Sequence, residues 1–362
     1  MAKYTIGDIA LKAGVSIATV SRVLNNKRYV NPDTRERVLR VVEEAGFVPN
    51  VIASGLASGR SRFLGILVPS FAWSFIPDIM YGVSAAIAST QHELLLYTID
   101  QIKHDHSGRE DLIGRILFPK ITAGLLAIFP GQWAEPIIHL HTDGQLPVVM
   151  IDDQAEPSAI PWVSSDNRSG AYTAVRHLIA LGHQRIAHIE GPMSYFCSRE
   201  RYEGYRQAMT EAGLSVDPEL VLEADFGLDG GKSAAHKLFA LSPEQRPTAI
   251  FSASDGMAYG VIAAAEQCGL RIPGDVALVG FDDFSASSLV RPALTTMKQP
   301  FHEMGRKGIE LLLSLIESSQ DPAVPVAHTP DPEKQEIIAS THIQLETKLI
   351  VRASCGFTPS QQ

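Results

Sequence analysis

Apolar residues recur in one rhythm up to about residue 48 and in another from Phe63 onward. In TIGDIALKAGVSIATVSRVLN, Thr5 to Asn25, residues Ile6, Ile9, Ala10 and Ala13 fall at helical spacing; Gly14 breaks it, and Val20 with Val23 or Leu24 resumes it. Thr5 and Asp8 fit a reciprocal capping pair, Val15 is an apolar plug in the turn, and Ser16 suits the cap of the second helix. Asn31 and Pro32 open a third helical stretch, whose Val38, Val41, Val42 and Ala45 share a face and which Gly46 stops. Further on, the apolar runs FLGILV, LLLYTI, LLAIF, VVMI, IAHI, TAIF and VALVGF alternate with amphipathic stretches at 78–91, 170–181 and 257–268. Such runs, bounded by turns, predict parallel strands with crossover helices. The segment from 63 to 350, roughly 290 residues, exceeds one open sheet of ordinary size, so the expectation is a small all-α domain followed by two doubly wound parallel-sheet lobes.

The first two helices leave a face that their own core does not use. Ile17, Ala18, Ser21 and Arg22 form one stripe that starts at the second helix's N-terminus, where a helix-turn-helix reads base edges. Small residues let such a helix sit deep in a groove, and the Arg22 fork suits guanine O6 and N7. An ordinary helical hairpin with a solvated face is the alternative that this pattern alone leaves open.

Charge sharpens the choice. The chain has 362 residues and a net charge of −9, which would disfavour nucleic acid if it were evenly spread. It is not: residues 1–62 hold 10 Lys and Arg against 5 Asp and Glu, and the remainder 21 against 35. A basic head on an acidic body is expected when only the head meets phosphates. No run has the length of a membrane span and no signal-peptide pattern opens the chain, so the expected location is the cytoplasm with no membrane partner. Cys197, Cys268 and Cys355 are odd in number and far apart, which argues for idle thiols over disulfides or zinc.

The run AGVSIATVSRVLN, followed by VNPDTRERV and GFVPN, resembles the start of the lactose/galactose-repressor (LacI/GalR) family of bacterial transcription regulators. Further similarity runs through the body in VSSDNRSGAYTAVRHLIALGHQRIAHIEGP, SRERYEGYRQAM, SASDGMAYGVIAAAEQCGLRIPGDVALVGFDD and RPALTTMKQP. The resemblance implies a helix-turn-helix domain at 1–48, a hinge at 49–62, and a two-lobed periplasmic-binding-protein-type body at 63–350 that binds an effector and dimerises. Lobe crossings are then expected near Trp162, near Arg291 and between 319 and 336. It also implies DNA contacts from Thr5, Ser16, Ile17, Ala18, Ser21, Arg22 and Asn25, and from Asn50, Ala53 and Leu56 in a hinge helix formed only on an operator, with Leu56 wedged into the minor groove. Physics agrees that the hinge is conditional, since it is too short to survive alone in water and Gly55 costs about 1 kcal/mol relative to alanine. A pseudo-palindromic operator would require a homodimer. The tail after Arg352, ASCGFTPSQQ, lacks leucine heptads, so a coiled-coil tetramer is not expected.

In open α/β sheets ligands lie beyond the carboxyl ends of strands. Asp152 follows VVMI, Asp282 follows VALVGF, and Arg199 opens the stretch after IAHIEGPM, while Asp255 after TAIFSAS reads as structural. By resemblance, Asp152, Arg199 and Asp282 are ligand-hydroxyl contacts, Phe226 a stacking ring and Gln299 a lower cleft residue. Phe71, Trp73 and Phe75 could line the opposite wall or simply pack between lobes. Two carboxylates against one guanidinium favour a neutral polyol, and hence a sugar. Enzyme signatures are absent: GGKS at 230–233 lacks the first glycine of a phosphate loop, Asp225–Phe226–Gly227 stands without other kinase elements, and there is no GxSxG or HExxH. His104 and His106 have no third ligand nearby in sequence, so neither metal nor cofactor is expected. The reading is a sequence-specific, effector-responsive repressor of a carbohydrate operon. A free-standing sugar-binding protein or a sugar-processing enzyme are the rivals, and neither needs a base-reading helix.

Overall fold

The computed structural model describes residues 4–24, 29–47, 61–99, 114, 116, 121–143, 146–152, 160–319 and 342–356. The chain divides into two compact units, Met1–Arg62 and Phe63–Gln362. The first holds three helices, α1 (Ile6–Ala13), α2 (Ile17–Leu24) and α3 (Pro32–Glu44). Its core is small: Ile9, Ala10, Ala13, Val20, Val23 and Val38 are buried, with Val15, Val41 and Val42 packed against them. So little buried apolar surface leaves a unit of this size marginal on its own.

The second unit contains two sheets of six described strands each. Lobe 1 has the order β11-β5-β4-β3-β1-β2, built from β1 (Phe63–Val68), β2 (Glu93–Thr98), β3 (Thr122–Ile128), β4 (Val148–Ile151), β5 (Trp162–Ser165) and β11 (His342–Leu345), all parallel. Lobe 2 has the order β12-β10-β9-β8-β6-β7, built from β6 (Ile186–Glu190), β7 (Val221–Glu223), β8 (Ala249–Ser252), β9 (Ala277–Asp282), β10 (Thr295–Lys298) and an antiparallel edge strand, β12 (Lys348–Ile350). Both faces of each sheet are covered. In lobe 1, Leu64, Ile66 and Val68 join one apolar cluster, while Leu67 points into the other with Leu125 and Ala127. In lobe 2, Ile250 and Leu278 face one side, and Phe251 and Val279 the other. Alternation between two buried faces makes these strands read as unbroken apolar runs.

The helices of the body are α4 (Ile76–Ile87), α5 (Ala134–Thr142), α6 (Asn167–Ala180), α7 (Phe196–Glu211), α8 (Leu228–Phe239), α9 (Asp255–Gln267) and α10 (Phe301–Ser319). Their sheet assignments move the lobe crossings. The chain leaves lobe 1 after β5, at Asp166, because Trp162 still belongs to the last strand paired there. It returns at 299–300, between β10 of lobe 2 and α10, which packs on β3, β4 and β5, rather than near Arg291. The third crossing is at 346–347, between β11 and β12, rather than within 319–336. The strands TTMK and HIQL are four residues long, and at least half of each is polar, so their apolar signal is too weak to mark the boundaries.

Paired helices approach closely through glycines. A Cβ on Gly82 of α4 would fall on the His302 carbonyl, and one on Gly305 of α10 would fall on that of Ile79. The same notch recurs between α8 and α9, where Gly231 meets Met257 and Gly260 meets Leu228. These contacts are backbone to backbone, so no side chain can yield. Gly82→Ala should therefore cost about 1–3 kcal/mol through overpacking, whereas Ser84→Ala on the exposed side of α4 should stay within about 0.5 kcal/mol. Urea titration of both variants checks this, and equal midpoints would show that the helices can part without loss.

Candidate ligand cavity and DNA-reading helix

In the first unit the local chemistry follows the sequence closely. Thr5 Oγ1 accepts from the Asp8 N–H at 3.3 Å while the Asp8 carboxylate accepts from the Thr5 N–H at 2.8 Å, closing the capping box. Gly14 ends α1 at φ 67°, a left-handed conformation that favours glycine. Ser16 Oγ accepts from the Thr19 N–H at 3.1 Å and fixes the start of α2. That helix buries Val20 and Val23 and leaves Ile17, Ala18 and Arg22 exposed, with Ser21 half-buried beside them. Ile17 is 55% exposed, an apolar cost that the unit's own packing does not explain. Asn25, Asn50, Ala53 and Leu56 lie outside the described residues.

The second unit has a cavity of about 300 Å³ between the carboxyl ends of the two sheets. Trp73, Phe75 and Phe129 line it from lobe 1; Phe226, Tyr259 and Phe284 line it from lobe 2. The polar side chains Arg201, Asp282 and Gln299 close one side. Gln299 donates from Nε2 to Asp282 Oδ1 at 2.6 Å, while its buried Oε1 has no partner among the described residues. Arg201 is 2% exposed. Its Nε donates to Asn167 Oδ1 at 2.9 Å, and its Nη1 donates to the Ala253 carbonyl at 2.5 Å and stands 3.8 Å from Asp282. The guanidinium lies 3.9 Å over the Phe281 ring.

Asn167 carries this network across the lobes. Its Nδ2 donates to Asp152 Oδ1 at 3.0 Å, where the Ser164 hydroxyl and the Ser165 N–H also donate, at 2.7 and 3.2 Å. Burial raises the Asp152 carboxyl, opposed by Arg201. Burial also pushes Asp282 up to about 8, with Arg201 opposing and Asp255 adding to the rise. Asp255 rises to about 6 by burial, although the Ser287 and Thr296 hydroxyls donate to it. Among the described residues, the non-glycine positions with positive φ are Phe129, Asp152, Phe226, Asp282 and Asp283. They all sit at or beside the cavity, so backbone strain is concentrated where perturbed carboxyls are.

Residues 5–50 match the bacterial regulatory proteins of the lacI family, and residues 175–355 match the periplasmic binding protein-like domain. Catabolite control protein A of Priestia megaterium is 33% identical over 309 residues, spanning 85% of this chain and 91% of that relative. The chain belongs to the lacI family. A transcriptional regulator CelR–cellobiose complex is 31% identical, with a TM-score of 0.67 over 97% of this chain and 99% of that one. The lac repressor dimer bound to operator and the anti-inducer ONPF is 27% identical, with a TM-score of 0.81 over 98% and 99%.

As a lacI-family member the chain is a DNA-binding, ligand-responsive transcriptional repressor, and its fold is that of the lac repressor. Among the described residues no helix is long and apolar enough to cross a membrane, and no three potential ligands cluster for a metal. His104 and His106 lie outside the described residues. Cys197, Cys268 and Cys355 form no disulfide.

The structure redraws part of the sequence-based site. Trp73, Phe75, Phe226, Asp282 and Gln299 come together on one cavity. Asp152 lies behind it, 2% exposed and reaching the wall through Asn167 and Arg201. Arg199 is not there: it is exposed and turns back to donate to the Met193 carbonyl at 2.9 Å. Two residues are about 200° of a helix, so Arg201 points inward where Arg199 points out. Periodicity held the signal, since Arg201 shares the buried stripe of α7 with Cys197, Tyr205 and Ala208. Phe71 is 58% exposed and outside the wall.

Arg199→Ala should therefore leave effector affinity unchanged, whereas Asn167→Ala should weaken it, because Arg201 loses the acceptor that orients it. Calorimetry on the two variants decides this; a loss on Arg199→Ala alone would return the role to that residue. The carboxyls also set a pH dependence. The folded state keeps a proton on Asp282 up to about pH 8, while the unfolded chain loses it near pH 4. Stability is therefore greatest below about pH 4 in this respect and falls as pH rises through about 8. Asp282→Asn should flatten the fall in melting temperature between about pH 4 and 8; an unchanged slope would place the titration elsewhere.

Proposed function

We propose that this chain represses a carbohydrate uptake or catabolism operon as a cytoplasmic homodimer, and that its effector is a neutral sugar held between the lobes. The observation that carries the sugar reading is the cavity itself. Aromatic rings from both lobes surround it, and its polar side carries Gln299 Oε1, an acceptor with no partner among the described residues, next to the Asp282 carboxyl. Hydroxyls supply donors, and a pyranose supplies an apolar C–H face for the rings. Arg201 already donates to Asn167 and to the Ala253 carbonyl, and Asp225 among the lining residues disfavours an anionic ligand. The similar chain solved with cellobiose supports the same ligand class.

For DNA, the reading assigns base contacts to Ile17, Ala18, Ser21 and Arg22, positioning to Thr5, Ser16 and Asn25, and the minor-groove wedge to Leu56, with Asn50 and Ala53 in the same hinge. The exposed stripe on α2 supports the first group. Two such helices one helical turn apart require two subunits, and the lac repressor neighbour is a dimer on its operator.

A thermal-shift screen over neutral sugars, sugar phosphates and nucleosides tests the effector. A true effector at 100 times its dissociation constant adds about 2.7 kcal/mol of stability, and stabilisation by phosphates alone would refute the neutral sugar. In gel shifts, Arg22→Ala should cost about 1–3 kcal/mol per half-site and relax preference at one base pair. Equal loss on operator and random DNA would remove Arg22 from base reading.

A further inference from the structure

The three cysteines differ in their surroundings. Cys197 and Cys355 are each 1% exposed, whereas Cys268 stands exposed at the C-terminal cap of α9. Its Sγ lies 3.6 Å from Nδ1 of His236, which comes from the last turn of α8. The other ring nitrogen, Nε2, lies 3.2 Å from Gln267 Oε1. An amide oxygen only accepts, so Nε2 carries the proton and donates it, which leaves the Nδ1 lone pair facing the thiol. Two consecutive residues of α9 thus hold the imidazole of α8 by both nitrogens: Gln267 fixes its tautomer, and Cys268 presents a proton to it. A nucleophile, an adjacent base and a group that orients the base are the arrangement by which side-chain nucleophiles are activated. Cys355 also meets an imidazole, His177 Nε2 at 3.3 Å, but its burial shields it from reagents.

We propose that Cys268 is a modification site on the surface of lobe 2, a thiol that His236 activates for exchange with low-molecular-weight disulfides. The thiol proton passes to His236 Nδ1 as Sγ attacks one sulfur of the disulfide. A new S–S bond forms to Cys268, the reagent's own S–S bond breaks, and the leaving thiolate takes the proton back from the imidazolium. Electrons balance within the exchange: the disulfide is reduced to one free thiol while Cys268 is oxidised to a mixed disulfide. A helix C-terminus gives a thiolate no help, so activation rests on His236 and not on the end of α9. A free thiol near pH 7 is only a few per cent thiolate, so a base that takes its proton raises the reactive fraction by up to about thirtyfold.

The test is the reaction of the reduced full-length protein with dithiodipyridine, a neutral disulfide whose released thione is read by absorbance. One thiol per chain should react rapidly in the native protein, and Cys197 and Cys355 only on unfolding. Cys268→Ser should remove the rapid phase, and glutathione disulfide should add one glutathione, at Cys268, by mass spectrometry. His236→Ala should slow the rapid phase by about five- to thirtyfold. Gln267→Leu should slow it as well, whereas Gln267→Glu, which keeps an acceptor for the Nε2 proton, should restore it; a merely structural role for Gln267 would not separate these two. An unchanged melting temperature in each variant distinguishes loss of activation from loss of the fold. A rapid phase of unchanged rate in His236→Ala would show that exposure alone makes Cys268 react, and uniformly slow reaction of all three thiols in the native protein would show that none is activated. Either result overturns the proposal.

Discussion

A buried guanidinium holds this structure's working parts together. Arg201 of lobe 2 is buried, and burying such a charge is costly unless it is paired and hydrogen-bonded. Asn167 and the Ala253 carbonyl accept from it, and the Asp282 carboxyl stands 3.8 Å away, so three parts of the fold offset that cost. Asn167 then passes the constraint to Asp152 at the end of β4, in the other lobe. Lobe 1 and lobe 2 are thus joined by polar bonds that run directly behind the cavity. A ligand that competes for Asp282 or reorients Arg201 changes the terms on which the lobes meet, and a small shift in such a network moves rigid elements together.

The aromatic lining of the cavity and the strained backbone belong to the same device. Phe129, Asp152, Phe226 and Asp282 occupy positive-φ positions at strand ends, which aim their side chains away from the paths their strands would otherwise dictate. Gly191 makes room for Phe226, since a Cβ there would fall on its ring. Asp255 contributes from behind: its carboxyl accepts from the Phe284 N–H at 3.0 Å and so holds that residue of the cavity wall. Reading Asp255 as structural therefore agrees with its contacts, although what it supports is the cavity wall.

The sequence was most legible where chemistry is local. Thr5 and Asp8 cap one another, and Gly14 turns, through groups at most a few residues apart. Runs such as VVMI and AIFS are buried on both faces and read as strands without ambiguity. Two kinds of feature were not legible. Short polar strands such as TTMK owe their place to partners, not to their own pattern, so the lobe boundaries drawn from apolar runs were displaced. Arg201 was passed over for Arg199 because both are arginines near the start of one helix, and only the helix phase, fixed by Cys197 and Tyr205 packing inward, tells them apart. Asn167 carried no signal of its own, since an amide between two lobes is defined by what lies on either side.

The central claim is that occupancy of the interlobe cavity and DNA binding are coupled in free energy. Coupling of this kind is reciprocal: whatever factor the effector imposes on operator affinity, the operator must impose on effector affinity. The direct measurement is calorimetric titration, into the protein alone and into its saturated operator complex, of the compound that stabilises it most in the thermal-shift screen, beside fluorescence anisotropy of the operator with and without that compound. The account predicts the same factor from both directions, of about 5- to 150-fold. Equal affinity of that compound for free and operator-bound protein would contradict it.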